Sequence, residues 1–160
     1  MKELIEIAEQ IAAKLVARKE TIAVAESSAG GLISASLLAV PGASAYFLGG
    51  AVVYTLDARR LLADIPDEAM KGIRSASEPY AQLLAGRIRG RFSTDWGLSE
   101  TGATGPAKNR HGDPVGHSCM AVAGRAPQVI TLETGSADRL ANMHAFASAA
   151  LNLLLENLSR

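Results

Sequence analysis

Apolar residues recur along the chain with two different spacings, and these spacings predict its helices and strands. Near the N-terminus, Leu4, Ile7, Ile11 and Leu15 repeat at intervals of three and four residues, which predicts an amphipathic helix over residues 2–18. Short apolar runs between polar or glycine residues predict strands instead. The predicted strands cover residues 21–25, 51–55, 95–100, 116–123 and 128–134.

Capping and turn signals predict where the helices lie between these strands. Ser77-Glu78-Pro79 supplies a cap, an acidic residue and a first-turn proline, which predict a helix that runs to about Phe92. Ser136 or Asp138 can cap a long final helix that runs through Leu158. Shorter helical patterns are predicted at residues 30–40, 43–47, 57–63 and from residue 65 onward.

The order of these elements indicates the fold class. Strands and helices alternate over the first two thirds of the chain, and two strands around a turn at residues 124–127 form a hairpin near its end. This order predicts an α/β fold, a three-layer α/β/α sandwich whose mostly parallel sheet carries an antiparallel strand. The length of the chain predicts one domain over residues 1–160.

Three loops follow predicted strands, and we expect them to meet at one edge of the sheet, where open α/β sheets bind ligands. The first loop holds two serine hydroxyls beside backbone N–H groups that are expected to point outward and attract an anion. A serine at such a turn is either a nucleophile or a helix cap, and both interpretations stay open. The candidate residues of this loop are Glu26, Ser27, Ser28, Ala29, Gly30 and Gly31.

The second and third loops, at residues 54–59 and 101–106, carry different chemistry. The Tyr54 hydroxyl can relay a proton, and the Arg59 guanidinium can hold a phosphate or a carboxylate. The third loop can form a nest of N–H groups for an oxyanion or a phosphate. Each loop alone is better explained as a structural turn, but two glycine- and hydroxyl-rich turns in so short a chain favour an anionic small molecule. The third-loop candidates are Thr101, Gly102, Thr104, Gly105 and Pro106.

Composition and charge argue against several classes of function. The formal net charge is zero, whereas general nucleic-acid binding needs a basic surface that displaces counterions. No apolar run reaches the roughly 20 residues of a membrane span, and the N-terminal segment is amphipathic, unlike a signal peptide. Cys119 is the single cysteine, which suits a reducing cytoplasm. The histidines follow no zinc-binding spacing, so we expect no metal and no cofactor.

An ordered set of short motifs runs through nearly the whole chain after the leading helix. They are Ala25-Glu26-Ser27, Gly30-Gly31, Val40-Pro41-Gly42-Ala43-Ser44, Gly50 through Tyr54, Ala76-Ser77-Glu78, Thr101-Gly102, Gly105-Pro106 and Pro114-Val115-Gly116. In this order they resemble the C-terminal domain of the competence/damage-inducible CinA family, whose stand-alone members are nicotinamide mononucleotide deamidases. The resemblance implies hydrolysis of the carboxamide of this pyridine mononucleotide to nicotinate mononucleotide and ammonia. It also implies an oligomer, expected to be a homodimer.

The resemblance assigns roles to individual residues. The family's first loop reads Glu-Ser-Cys-Thr-Gly-Gly, and its nucleophilic serine falls on Ser27, while the family's tyrosine falls on Tyr54. The lysine thought to activate that serine falls on Arg59, which stays protonated and is a poor proton acceptor. Arg59 or Arg139 is then expected to contact the phosphate, and Gly116 is counted among the substrate-binding residues.

Other polar positions of the family pattern differ as well. Ala29 stands where the family has threonine, and Ser28 stands where it has cysteine. The positions that build the fold match, whereas several polar positions of the site do not, which is typical of a member whose activity has changed or been lost. The further departures are Leu56, Thr104, Asp113 and Met143.

Two hypotheses about function therefore stay open. In the first, Ser27 attacks the carboxamide, Tyr54 relays the proton, and His117 or Glu26 replaces the missing lysine as a base. In the second, the chain is a catalytically degenerate member that keeps the pocket to bind a nucleotide or a related anion. Hydrolysis of a different amide or ester is a third alternative, and the sequence leaves open which of the two serines faces the ligand.

Overall fold

The computed structural model describes residues 1–160, and its five strands form one sheet. The strands are β1 (Ile22–Glu26), β2 (Phe47–Val52), β3 (Trp96–Ala103), β4 (His117–Ala123) and β5 (Gln128–Glu133). They lie in the order β2-β1-β3-β4-β5. β1 pairs in parallel with β2 and β3, whereas β4 pairs antiparallel with β3 and β5. Only β4 therefore runs against the others, which confirms the mostly parallel sheet with an antiparallel strand.

Helices cover both faces of the sheet and complete the predicted three-layer sandwich. One face carries α1 (Lys2–Arg18), α2 (Leu32–Leu38) and α5 (Arg139–Ser159), and the other carries α3 (Leu56–Ala63) and α4 (Glu78–Phe92). Short 3₁₀ turns cover Ala43–Ala45 and Asp67–Met70. The largest buried side chain, Trp96, lies in the core between the sheet and the first group of helices. None of the helices combines the length and the apolar character that spanning a membrane requires.

The structure shifts the strand that was predicted at residues 51–55. β2 begins at Phe47, so two glycines lie inside the strand and Tyr54 lies two residues beyond its end. A Cβ atom at Gly49 would lie 2.5 Å from the ring of Phe92, the last residue of α4. Glycine in this strand therefore reflects the close approach of a helix, whereas the strand was predicted to begin only after Gly50.

The strand predicted at residues 95–100 is longer in the structure, because β3 runs on to Ala103. Gly102 pairs with Ser118 of β4, and a Cβ at Gly102 would lie 2.5 Å from the Ser118 Cβ. The antiparallel partner thus extends the strand through Thr101 and Gly102, which were expected in a loop. The third loop is shorter than predicted and begins at Thr104.

A buried carboxylate at the end of β1 holds the turn that follows this strand. Glu26 is fully buried and accepts hydrogen bonds from the backbone N–H groups of Gly31, Ile33 and Ser34 at 2.8 to 3.1 Å. The Ser34 hydroxyl donates a fourth hydrogen bond at 2.8 Å. Glu26 therefore satisfies the N–H groups at the start of α2, which have no partners within the helix.

A second buried carboxylate, Glu100 of β3, holds the other side of the same turn. It accepts hydrogen bonds from the N–H groups of Ser27 and Ala29 at 3.1 and 2.8 Å, and from the hydroxyls of Ser28 and Ser118 at 2.5 and 2.7 Å. Burial raises the pKa of Glu100, and these hydrogen bonds oppose that rise. The N–H groups of Ser27, Ala29 and Gly31 thus face two internal carboxylates, which corrects the expectation that the N–H groups of this turn point outward toward an anion.

Gly97→Ala in β3 is expected to destabilise the fold by about 1–3 kcal/mol. The new Cβ would lie less than 3.0 Å from the backbone carbonyl oxygen of Ala85 on α4, closer than Cβ atoms approach in real proteins. Gly86→Ala on the same helix is the control, because its Cβ would meet open space, and it should raise stability by about 0.5–1 kcal/mol. Urea unfolding followed by circular dichroism measures both. A Gly97→Ala protein as stable as the wild type would contradict the close packing of α4 on β3.

Glu100→Gln is expected to change how stability depends on pH. Because the folded-state pKa of Glu100 is raised, the folded chain binds more protons than the unfolded chain between the ordinary glutamate pKa and the raised value. Wild-type stability therefore loses this contribution as pH rises through that range. The unfolding free energy of the wild type minus that of Glu100→Gln should fall with pH there and stay constant above it.

Urea unfolding curves from about pH 4 to pH 8 test this prediction. Glu9→Gln, on the exposed face of α1, is the control and should give a difference that changes little with pH. A Glu100→Gln difference that is equally flat would contradict the cost of burying this carboxylate.

Candidate active site

A pocket of about 350 Å³ opens where β1, β2 and β3 end. Ser27 borders the pocket after β1, Tyr54 and Arg59 border it after β2, and Thr101 and Gly102 border it from β3. The three predicted regions therefore meet at the carboxyl edge of the parallel strands, where the fold class places ligands. The apolar part of the wall consists of Val53, Leu56, Met70, Ala76 and the rings of Tyr54 and Tyr80.

A second pocket of about 380 Å³ adjoins the first and shares Tyr54, Gly102 and Asn109 with it. Arg139, at the start of α5, donates hydrogen bonds to the Gly105 carbonyl oxygen at 2.6 Å and to the Tyr54 hydroxyl oxygen at 3.2 Å. This arginine therefore links the second and third loops at the junction of the pockets. The other residues around the second pocket are Ser28, Ala103, Thr104, Gly105, Pro106 and Ala107.

Several predicted ligand-binding residues border neither pocket. Most of them belong to the turn between β1 and α2, next to the two serines in the chain. Gly116 instead donates its N–H to the Ala103 carbonyl oxygen at 2.8 Å and thereby joins the start of β4 to β3. The predicted residues outside both pockets are Glu26, Ala29, Gly30, Gly31 and Gly116.

The two serines of the first turn have different surroundings. Ser27 is partly exposed and borders the first pocket, and no protein group forms a hydrogen bond with its hydroxyl. Ser28 is 4% exposed, and its hydroxyl donates to the buried Glu100 carboxylate. Ser27 is therefore the serine that presents a free hydroxyl to the first pocket.

Arg59 forms part of the pocket wall and is held by two partners. It is 6% exposed, donates to the Ile65 carbonyl oxygen at 3.2 Å, and forms an ion pair with Asp67. Hydrogen bonds from Arg60, together with the charge of Arg59, hold the pKa of Asp67 below its usual range. Burial raises the pKa of Tyr80, and Arg59 opposes this. Arg59 thus supplies a fixed positive charge and no proton acceptor.

Neither base suggested by the sequence faces the Ser27 hydroxyl. Glu26 uses both carboxylate oxygens within the turn. His117 is 7% exposed, and its ring nitrogens lie 3.0 Å from a Glu133 carboxylate oxygen and 2.9 Å from the Ala76 carbonyl oxygen. His117 therefore supports the pocket wall at Ala76, whose φ of 52° lies in the left-handed region that alanine rarely adopts.

The loop before β4 contributes residues that the sequence analysis did not place in the site. Asn109, Arg110 and His111 border the first pocket. The sequence holds one signal for them. The segment between the third loop and β4 is rich in polar residues, and both of its ends lie at the same edge of the sheet. This loop therefore adds polar side chains to the wall of the pocket that Ser27 borders.

An ion pair fastens this loop to the segment before α4. Arg74 donates to both carboxylate oxygens of Asp113 at 2.6 and 2.9 Å. Asn109 donates to Asp113 at 2.8 Å, and its side-chain oxygen accepts the N–H groups of His111 and Asp113 at 3.0 and 3.1 Å. Burial raises the pKa of Asp113, but the hydrogen bonds from Arg74 and Asn109 outweigh it and hold this pKa below its usual range.

The charges around the pockets suit an anion better than a metal ion. No group of three or more His, Cys, Asp or Glu side chains is arranged to hold a metal ion. Three arginines border the pockets, and of these only Arg59 forms an ion pair with a carboxylate. Arg110 and Arg139 therefore offer positive charge to a phosphate or a carboxylate.

Comparison with known proteins identifies relatives of this chain. Residues 4–158 match the family model of the CinA C-terminal domain. The CinA-like protein of Acidobacterium capsulatum is 37% identical over 141 residues, which cover 88% of this chain and 34% of that protein. The CinA-like protein of Gloeobacter violaceus is 40% identical over 118 residues, which cover 74% of this chain and 28% of that protein. The chain spans about a quarter to a third of the length of the curated relatives it matches.

Solved structures with similar names share the fold. A competence-damaged protein (CinA) superfamily protein from Klebsiella pneumoniae superposes with a TM-score of 0.90 at 24% identity, covering 98% of each chain. The competence/damage inducible protein CihA from Agrobacterium tumefaciens gives a TM-score of 0.87 at 27% identity, covering 98% of this chain and 96% of the other. The family model and these folds confirm the resemblance seen in the motifs, and the chain belongs to the CinA C-terminal domain family.

Proposed function

We propose that this chain is an amidohydrolase that converts nicotinamide mononucleotide to nicotinate mononucleotide and ammonia. The names of its relatives state a family and no reaction. The observation that carries the proposal is the free Ser27 hydroxyl in a pocket that also contains Tyr54 and adjoins Arg139. A nucleophile, a second hydroxyl and an anion-binding arginine are the groups that hydrolysis of an amide on a phosphorylated substrate needs.

The two pockets divide the substrate between them. The pyridine ring lies against the apolar wall that Leu56, Met70 and Tyr80 contribute to the first pocket. The phosphate lies in the second pocket, where Arg139 is held at the loop that contains Gly105. This orientation directs the carboxamide on the ring toward Ser27 and leaves the ribose near the residues that both pockets share.

Hydrolysis then proceeds in two steps, acylation of the serine and hydrolysis of the acyl ester. The Ser27 oxygen bonds to the carboxamide carbon, the C–N bond breaks, and ammonia leaves with the serine proton. Water then cleaves the acyl ester, which releases the carboxylic acid and restores the hydroxyl. Of the N–H groups of residues 27–31, only that of Ser28 has no acceptor in the fold. We assign it to the developing oxyanion, with Arg59 adding positive charge to the pocket.

A second candidate function follows from Arg59 itself. Its ion pair with Asp67 and its permanent charge leave the family's lysine position without a proton acceptor. A catalytically degenerate member would keep the pockets and bind a pyridine mononucleotide or a related anion without turnover.

Ser27→Ala should lower the rate of ammonia release from nicotinamide mononucleotide by at least about 10³-fold, because it removes the nucleophile. Ammonia and nicotinate mononucleotide are measured together, so that the two products appear in equal amounts. Ser44→Ala, an exposed serine outside both pockets, is the control and should keep the wild-type rate. Full activity of Ser27→Ala, or a wild type that releases no ammonia, would contradict the proposal.

Arg59→Lys combined with Ala29→Thr distinguishes the two candidates. If the chain is an active amidohydrolase, the wild type turns over and the double variant changes its rate without creating a new activity. If the chain is a degenerate binding module, the mononucleotide raises the thermal unfolding temperature of the wild type without turnover, and ammonia release appears only in the double variant. We expect the first result.

A further inference from the structure

The ring of His117 lies between two hydrogen-bond acceptors. Its Nδ1 lies 3.0 Å from a carboxylate oxygen of Glu133 on β5, and its Nε2 lies 2.9 Å from the Ala76 carbonyl oxygen, before α4. A neutral imidazole carries one N–H and can donate to only one of these oxygens, whereas the protonated ring donates to both. The two distances therefore describe a ring that carries a proton on each nitrogen.

Two carboxylates flank this ring. Glu133 approaches Nδ1, and Asp113, which also pairs with Arg74, lies 3.9 Å from Nε2. A positive charge on the ring therefore has a counter-ion near each nitrogen. The titratable and charged groups around the ring, on the loop before β4, on β4, on β5 and near the start of α4, are Asp113, Cys119, Glu133, Arg74 and Glu78.

Ala76 needs support from its surroundings, because its φ of 52° is unfavourable for alanine. Its N–H donates to the Thr101 hydroxyl oxygen at 3.1 Å, and its carbonyl oxygen accepts from His117. The other donors near this carbonyl oxygen are more distant, an Arg74 nitrogen at 3.4 Å and the Cys119 sulfur at 3.8 Å. Ala76 borders the first pocket, so the His117 contact holds part of the pocket wall.

Loss of one ring proton would break one of the two hydrogen bonds, and the charge of the acceptors decides which. A hydrogen bond to an ionised carboxylate is stronger than one to a neutral carbonyl oxygen. The neutral ring therefore keeps its proton on Nδ1, facing Glu133, and Nε2 then turns a lone pair toward the Ala76 carbonyl oxygen. Ala76 loses its nearest donor and can leave the left-handed region.

We infer that His117 is a positioning residue whose doubly protonated ring holds the Ala76 wall of the first pocket. The wall is released when the ring becomes neutral, so the pocket binds its ligand more weakly as pH rises. The effect on nicotinamide mononucleotide rests on the proposed function, whereas the states of the ring and of Ala76 do not. His117 contacts the wall and not the substrate.

NMR of the free protein tests the contact itself. In the wild type, rising pH should convert the His117 ring to the Nδ1–H form, seen in its ¹⁵N shifts, and move the ¹³C shifts of Ala76 away from left-handed values. In Glu133→Gln the side-chain amide can donate to Nδ1, so the neutral ring should keep its Nε2–H and Ala76 its shifts. Glu156→Gln, an exposed acid of α5, is the control and should behave as the wild type.

Calorimetric titration with nicotinamide mononucleotide tests the consequence for the pocket, with Ser27→Ala in every protein so that the ligand is not consumed. From about pH 6 to pH 8.5 the affinity should fall about 5-fold more with Glu133 than with Glu133→Gln, because one hydrogen bond to the wall is lost. The titration of the ligand's phosphate is common to both proteins and cancels in this comparison. Ala76→Gly should also lack the extra fall, since glycine adopts a positive φ without support.

Three results would overturn the role of His117, whatever the protein binds. They are a wild-type ring that keeps one protonation state throughout the titration, a neutral wild-type ring that carries its proton on Nε2, and Ala76 shifts that stay constant while the ring loses its proton. An affinity that falls equally with Glu133 and with Glu133→Gln also overturns it. If the ring and Ala76 behave as expected but the mononucleotide binds at no pH, the proposed function fails and the positioning role stands.

Discussion

The site depends on two carboxylates buried beneath one turn. A buried carboxylate loses the solvation of water, and only hydrogen bonds from its surroundings offset that cost. Glu26 and Glu100 each accept four, and of this total four come from the turn that joins β1 to α2 and three from the start of α2. The same contacts orient Ser28 inward and leave the Ser27 hydroxyl free at the pocket. The hydrogen bonds that these buried carboxylates require therefore determine which serine hydroxyl remains free at the pocket.

The pattern of apolar residues predicted the fold class because this class depends only on the spacing of the apolar residues and on the order of the helices and strands. The misplaced strand at residues 51–55 has a tertiary cause. Glycine is needed at position 49 of the strand because the ring of Phe92, 43 positions later in the chain, lies close to the backbone there. The early end predicted for β3 has a similar cause, since the pairing of Gly102 with Ser118 extends the strand. Neither contact leaves a local signal.

The site was predictable only in part, for the same reason. Ser27, Tyr54 and Arg59 follow parallel strands, so topology brings them to one edge. Glu100 contacts the N–H of Ser27 across 73 positions, and Arg74 fixes the loop of His111 through Asp113, 39 positions away. The spacing of residues along the sequence does not indicate such long-range contacts. The homodimer implied by the family resemblance stays a prediction.

The Glu100 carboxylate also constrains how this chain can vary. It joins the turn after β1 to Ser118 on β4, so a substitution at position 28, 100 or 118 changes the hydrogen bonding of the other two side chains. A homologue that loses the acid must supply new acceptors for two backbone N–H groups as well as two hydroxyls. Replacements at these three positions should therefore be inherited together, and an exchange of one alone should be rare in natural variants.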